Sequence, residues 1–255
     1  MSEAIILGIV QGFTEFLPVS STAHLILFPW FFGWKGAVDS LTFDVALHAG
    51  TLLALIGCFW KDWLGIFFHN RRLLFFLVVA TIPAGLAGIF FKHAIEGSLR
   101  SPLIIVITLI LFGIVMLLSE RMKKDRTVKD VKLSDAIVIG ISQAVALIPG
   151  VSRSGITISA GLFRGLEREE SARFSFLLST PAVFGAVLLE GRKLLLSPDN
   201  YALSLFLAGL IASAISGLIA IRFLLYFFRR HPLNIFVYYR FMLAVIIIGG
   251  IWLKG

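Results

Sequence analysis

The sequence predicts an all-α polytopic membrane protein: six transmembrane helices plus two re-entrant helix–loop–helix hairpins, arranged as an inverted-topology repeat. Three observations predict this. The 255-residue chain is 58% hydrophobic and only 15% charged, with a mean hydropathy of +0.94; a soluble domain carries about 25% charge. Six stretches are long and apolar enough to cross a bilayer, which takes roughly 20 residues. Finally, QGFTEFLPVSSTAH (Gln11–His24) and QAVALIPGVSRSGIT (Gln143–Thr157) interrupt apolar runs with a Gln, then a Pro, then a cluster of hydroxyls. Lipid tolerates such segments only where they are buried in protein or line a wet cavity. Two of them in matching halves point to one site near the middle of the bilayer.

In chain order, Ala4–Gly12 and Ser20–Phe32 flank the first break. They are too short to span singly and read as a hairpin entering and leaving on one side. Leu41–Trp60, Leu73–Phe91 and Pro102–Ser119 follow as full crossings. The charged segment Glu120–Lys132, with residues 121–132 as the linker between halves, reads as a solvated loop. Ala136–Ile148 and Gly155–Phe163 make the second hairpin, and Ala172–Leu189, Leu203–Phe228 and Ile235–Leu253 the last three crossings. The chain is thus one membrane domain, 1–255, with halves of approximately 1–120 and 133–255. Ser2–Gln11 aligns with Ser134–Gln143 without a gap. The same offset in numbering carries Gly85-Leu86 onto Gly217-Leu218 and Phe91 onto Phe223, so the whole half is duplicated. Each half holds one hairpin and three crossings. Three is odd, so the halves sit upside down relative to each other, and the hairpins enter from opposite faces.

Lys and Arg set the orientation. The loops at Lys61–Arg72, Arg121–Arg173 and Arg229–Arg230 carry most of them, including Lys123, Lys124, Arg126, Lys129, Lys132, Arg164 and Arg168; the other side has Lys35, Lys92, Arg100, Arg192, Lys193 and Lys254. The positive-inside rule makes the first side cytoplasmic and puts both termini outside. The net charge of +8 suits loops facing anionic lipid. Its scatter among loops argues against nucleic-acid binding. The single Cys58 forms no internal disulfide and says nothing of compartment. The apolar start runs into Gln11, Glu15 and Ser20 without a small-residue cleavage site, so no cleavable signal is expected. No nucleotide loop, zinc spacing or dinucleotide fingerprint is present. The 24 Phe residues read as lipid-facing packing, although a groove for a long apolar chain would use the same residues.

The breaks carry the chemistry. Pro18 ends one helix, and Ser20, Ser21 and Thr22 can cap the next. A helix start offers free N–H groups and a positive dipole end, which suit an anion. Pro149, Gly150, Ser152, Arg153, Ser154 and Gly155 repeat the arrangement, the glycines allowing backbone to approach a ligand closely. Arg153 costs about 2.5–3.5 kcal/mol on insertion scales and needs an anionic partner. Its planar fork suits phosphate or carboxylate, and Glu15 is the internal alternative. Glu15 follows Gln11 by four, so both face one side of a short helix. A carboxylate there can hold a divalent cation, orient a hydroxyl or act as a base. His24 shares a face with Ser20 and Ser21 if the helix starts near Ser20, a geometry for proton transfer to or from a hydroxyl nucleophile. His48 reads as a packing or hydrogen-bonding residue, and His69, His93 and His231 as loop residues.

With these residues in view, Gln11–His24 resembles the Glu/Gln-rich motif of the undecaprenyl-diphosphate phosphatase family, also called bacitracin-resistance proteins. Pro149–Thr157 resembles its PGxSRSxxT motif, and the resemblance spans essentially the whole chain. Gln11 stands where the family permits Glu or Gln, leaving Glu15 as the one carboxylate, and Ala23 stands where a Gly is expected. The resemblance implies hydrolysis of the C55 lipid diphosphate to the monophosphate at a bacterial plasma (inner) membrane, recycling the carrier of cell-wall synthesis. It implies Ser21 as nucleophile, His24 for proton transfer, and Glu15 as activator or metal ligand. Arg153 would clamp the phosphates, and Gln11, Ser20, Thr22, Ser152, Ser154, Gly155 and Thr157 would help bind them. A divalent cation, Mg2+ foremost, is the implied cofactor. A polyprenyl diphosphate and membrane lipid are the implied partners, and a homodimer is left open. The competing class is an inverted-repeat transporter or flippase for an anionic lipid or small anion, which needs a binding site but no hydroxyl beside a proton carrier.

Overall fold

The computed structural model describes residues 1–196 and 203–254. The side chains of 96, 192–196 and 254 lie outside that description, and Arg192, Lys193 and Lys254 of the charge argument are among them. The first half comprises α1 (Ser2–Phe16), α2 (Ser21–Phe32), α3 (Leu41–His69), α4 (Arg71–Phe90), the single-turn α5 (Lys92–Glu96) and α6 (Pro102–Ser119). The second comprises α7 (Leu133–Val145), α8 (Arg153–Phe163), α9 (Arg168–Leu196), α10 (Leu203–Phe228) and α11 (Asn234–Lys254). Helices α3, α4, α6, α9, α10 and α11 are long and apolar enough to cross a membrane.

These six are the stretches read from hydropathy, with differences at their ends. α3 continues past Trp60 to His69, after a kink at Phe59 (φ −109°, ψ 15°). Asn70 then caps α4 by accepting from the Leu73 N–H at 3.1 Å, the role its short polar side chain favours. His69 and His93 consequently lie on helices, not in loops.

The order α1, α2, α3, α4, α6 recurs as α7, α8, α9, α10, α11. Helices α2 and α8 begin at Ser21 and Arg153, and α6 and α11 at Pro102 and Asn234, both pairs related by the offset that aligns Ser2 with Ser134. One interhelical contact is built twice. A Cβ on Gly8 of α1 would come 2.8 Å from Ala212 Cβ of α10, and one on Gly140 of α7 would come 2.5 Å from the Ala80 carbonyl of α4. Gly8 and Gly140, and Ala80 and Ala212, are both related by the same offset. Small residues let helix backbones meet where lipid supplies no hydrophobic drive. Each contact joins the first helix of one half to the other half, so the halves interlock.

The main apolar core gathers Phe16, Phe59, Phe174, Phe176 and Phe228, with Phe16 and Phe176 edge to face at 5.5 Å. Other aromatics face outward: Phe68, Phe90 and Trp252 are 74%, 77% and 82% exposed. The Phe content therefore divides between core and lipid-facing surface. The linker between halves is more than a solvated loop. Arg126 donates to the Arg164 carbonyl and, at 2.6 Å, to buried Asp135, while the Val128 N–H donates to Glu170 at 2.8 Å. These bonds dock it onto the helices that follow.

Candidate active site

Both breaks start their second helix by the same local rule, although α7 ends at Val145, ahead of Pro149. Pro18 lacks an N–H and disfavours helical backbone at the residue before it, so α1 ends at Leu17 in extended conformation (φ −62°, ψ 138°). Ser20 then turns the chain at φ 74°, and its Oγ accepts from the Ala23 N–H at 3.4 Å to start α2. In the second break Gly150 (φ 91°) and Ser152 (φ 73°) make the turn, and Ser152 Oγ accepts from the Gly155 N–H at 3.2 Å to start α8. Ser20 and Ser152 are the only non-glycine residues with positive φ among the described residues. Such backbone costs about 1–3 kcal/mol per residue and gathers at functional sites. Here it occurs at equivalent positions of the two halves.

The turns meet. Arg153, at the start of α8, donates to Glu15 Oε1 of α1, and Ser154 Oγ donates to the Leu17 carbonyl at 3.2 Å. Ser21 Oγ donates to Glu15 Oε2 at 2.6 Å, and Gln11 Nε2 donates to the same oxygen at 3.0 Å. Glu15 is 7% and Ser21 9% exposed. The buried carboxylate is thus neutralised by a guanidinium and holds the serine hydroxyl through its proton. Two atoms beside it, Arg153 Nη1 and Gln11 Oε1, are buried without a partner. One is a donor and the other an acceptor, and a bound ligand can use both.

His48, read from sequence as a packing or hydrogen-bonding residue, makes a hydrogen bond and also stands beside this cluster. Its Nδ1 lies 2.8 Å from the Asp44 carbonyl, which only accepts, so that nitrogen carries the proton. Nε2 stands 3.6 Å from Glu15 Oε2. The only sequence signal is its place on one face of α3, and periodicity alone does not separate that face from the core. His24 departs from the expected geometry. Its Nδ1 donates to the Ser20 carbonyl at 2.7 Å, and Nε2 lies 2.7 Å from the Tyr239 hydroxyl. Both ring nitrogens are engaged away from Ser21 Oγ, and Glu15 is the group Ser21 touches.

The other hydroxyls divide. Ser152 caps α8 and lies 3.3 Å from Ser154 Oγ. Thr157 pairs with Ser175 of α9 at 2.6 Å. Thr22 is half-buried in the first turn of α2. Gly155 admits the cap: a Cβ there would meet Ser152 Oγ at 3.2 Å. Two residues of α11 that sequence did not single out reach the turns, Tyr239 through His24 and Arg240 directly. Among the described residues no group of three His, Cys, Asp or Glu side chains could hold a metal by itself.

Comparison with known proteins gives a consistent picture. The family described as bacitracin resistance protein BacA matches residues 4–246. An undecaprenyl-diphosphatase of Thermodesulfovibrio yellowstonii is 59% identical over 245 residues, covering 96% of this chain and 95% of the relative. Undecaprenyl-diphosphatases of Moorella thermoacetica and Desulforudis audaxviator are each 48% identical, covering 99% of this chain and 98% of theirs.

Proposed function

The chain belongs to the bacitracin resistance protein BacA family, and we infer from this that it is a membrane-embedded undecaprenyl-diphosphatase. It hydrolyses undecaprenyl diphosphate to undecaprenyl phosphate and inorganic phosphate. The observation that carries the site assignment is the contact of Ser21 and Arg153, from different hairpins, on the two oxygens of Glu15. Glu15 takes the Ser21 proton as Oγ attacks the terminal phosphorus. Undecaprenyl phosphate leaves with the bridging oxygen as the P–O bond breaks, and water then cleaves the phosphoserine. Arg153 Nη1, free of protein partners, clamps a phosphate oxygen, and the first-turn N–H groups of α2 and α8 add donors with no intrahelical partner. Phosphoryl transfer needs such positioning and charge neutralisation more than elaborate covalent machinery. His24 holds the Ser20 turn. Gln11, Ser20, Thr22, Ser152, Ser154, Gly155 and Thr157 shape the pocket wall around these groups.

A divalent cation, Mg2+, fits this set of residues when the substrate contributes to it. Mg2+ commonly takes one or two carboxylates and completes its shell with phosphates and water. Glu15 and the unpartnered Gln11 Oε1 would hold it, and bound there it supplies charge neutralisation of the diphosphate. The two halves, 1–120 and 133–255, are read as inverted repeats whose re-entrant hairpins enter from opposite faces. The duplicated offset, the paired serine turns and the interlocked α1–α10 and α7–α4 contacts support that reading. In this arrangement the headgroup enters the pocket while the polyprenyl tail stays in lipid.

Phosphate release from a polyprenyl diphosphate by purified protein in detergent tests the assignment. Arg153→Ala and Glu15→Ala are expected to lose most activity while inserting normally, and Ser21→Ala to lose several orders of magnitude. Chelation by EDTA is expected to suppress turnover and added Mg2+ to restore it. Near wild-type rates for Arg153→Ala and Glu15→Ala would refute the site. A Ser21→Ala rate above about a tenth of wild type rules out an obligatory phosphoserine.

A further inference from the structure

Arg240 has no role in the reaction above, yet it is fully buried in the second turn of α11. A guanidinium has five N–H donors in one plane, and here each has a separate acceptor. Nε donates to the Leu109 carbonyl at 3.2 Å. One terminal nitrogen donates to Pro18 at 3.4 Å and Val151 at 3.1 Å. The other donates to Thr108 at 3.2 Å and Gly150 at 2.9 Å. All five acceptors are backbone carbonyls, and no carboxylate pairs with Arg240 among the described residues.

The choice of carbonyls is informative. Pro18 lies two residues before the strained Ser20, and Gly150 and Val151 directly precede the strained Ser152. Carbonyls in such turns have no helical partner, and at membrane depth an unpaired one is costly. Thr108 and Leu109 belong to α6, so one planar group joins both turns to α6 and α11. Thr108 adds a tie of its own: its Oγ1 proton faces the Pro149 carbonyl at 2.8 Å and is shared with the Ile104 and Ile105 carbonyls of its own helix at 2.9 and 3.0 Å. It holds in the first half the place that Arg240 holds in the second, the two being related by the repeat.

We propose that Arg240 is a positioning residue for the hydrolysis. By seating the Pro18 and Gly150–Val151 carbonyls on one guanidinium, it sets the two serine-capped helix starts relative to each other, and so Ser21 relative to Arg153. The proposal rests on the reading that these two residues act on the same diphosphate. Lys keeps the charge but offers three donors from one point, and cannot cover five spread carbonyls.

The test uses full-length protein in detergent, with activity normalised to the monodisperse folded fraction. Arg240→Lys and Arg240→Gln are both expected to lose about 100-fold in kcat, with KM within about threefold, since misplacement near 1 Å costs that much. Hydrogen exchange at the Ala23 and Gly155 amides, which the two serine caps hold, is expected to accelerate in both. Wild-type kcat in Arg240→Lys, or unchanged exchange at both amides, overturns the proposal. Should neither variant be recovered folded, Thr108→Val decides, because it is isosteric and removes only the hydroxyl. It is expected to lose about tenfold in kcat and to speed exchange at Gly155 while sparing Ala23. Wild-type kcat and exchange there overturn the proposal equally. Ser21→Ala and Arg153→Ala in the same assay keep the two readings apart. They are expected to lose turnover without faster exchange at Ala23. If they retain turnover the site reading falls, and the exchange measurement still decides the brace.

Discussion

Ser20 and Ser152 combine two opposing local terms. Each holds a positive φ that disfavours any side chain, and each uses that side chain to cap a helix. Ala at such a position keeps the strain and loses the cap, worth about 0.5–2 kcal/mol. Gly loses most of the cap's hydrogen bond but relieves backbone strain of about 1–3 kcal/mol. Ser152→Gly is therefore expected to melt above Ser152→Ala by a margin of about 1–2 kcal/mol, measured as thermal unfolding in detergent. Equal melting temperatures would mean that the turn is not strained. Activity is expected to fall in both, because Gly loosens the conformation that presents Arg153.

At the scale of elements, the C-terminal end of α6 is tied to α9 and α11 by Glu120. Arg168 of α9 grips its carboxylate bidentately at 2.7–3.0 Å, and the Leu233 N–H before α11 donates to it at 2.9 Å. Burial opposes the charge, but Arg168, the Leu233 N–H and Lys124 outweigh it and hold Glu120 below the usual carboxylate range. A lowered folded value means the unfolded chain takes up the proton first. The tie is complete above the unfolded value of about 4.3 and is lost as pH falls through the folded one. Melting temperature is expected to drop on acidification below about pH 4, and Glu120→Gln to flatten that drop while lowering stability at neutral pH. The elements themselves are legible in the sequence wherever one property dominates. Apolar length marks α6 and α10 to the residue, and Pro18 and Pro149 mark both turns. What stays hidden depends on partners distant in sequence. Arg240 looks like a stray cation in an apolar run until its carbonyl acceptors from three elements are seen. His48 joins Glu15 only through the packing of α3 on α1. His24 does lie on the first turn of α2, but Tyr239, far along the chain, takes the nitrogen that reasoning within the hairpin leaves for Ser21.

For the whole molecule, the number of crossings decides the geometry of the pocket. If each hairpin returns to its own side, a half crosses the membrane three times, and equivalent positions in the two halves face opposite sides. Were each pair of short helices instead one broken span, a half would cross four times and equivalent positions would share a side. Lys35, between α2 and α3, and Glu167, between α8 and α9, are such an equivalent pair, and both are exposed. In a Cys58→Ser background, Lys35→Cys is expected to react with a membrane-impermeant maleimide in intact spheroplasts, and Glu167→Cys only after permeabilisation. The charge bias favours this sense, because Glu167 lies in the Lys- and Arg-rich set of loops. Labelling of both cysteines from the same side would exclude the inverted repeat. The two positive helix starts would then enter from one face, and the meeting of Arg153 with Glu15 would need another explanation.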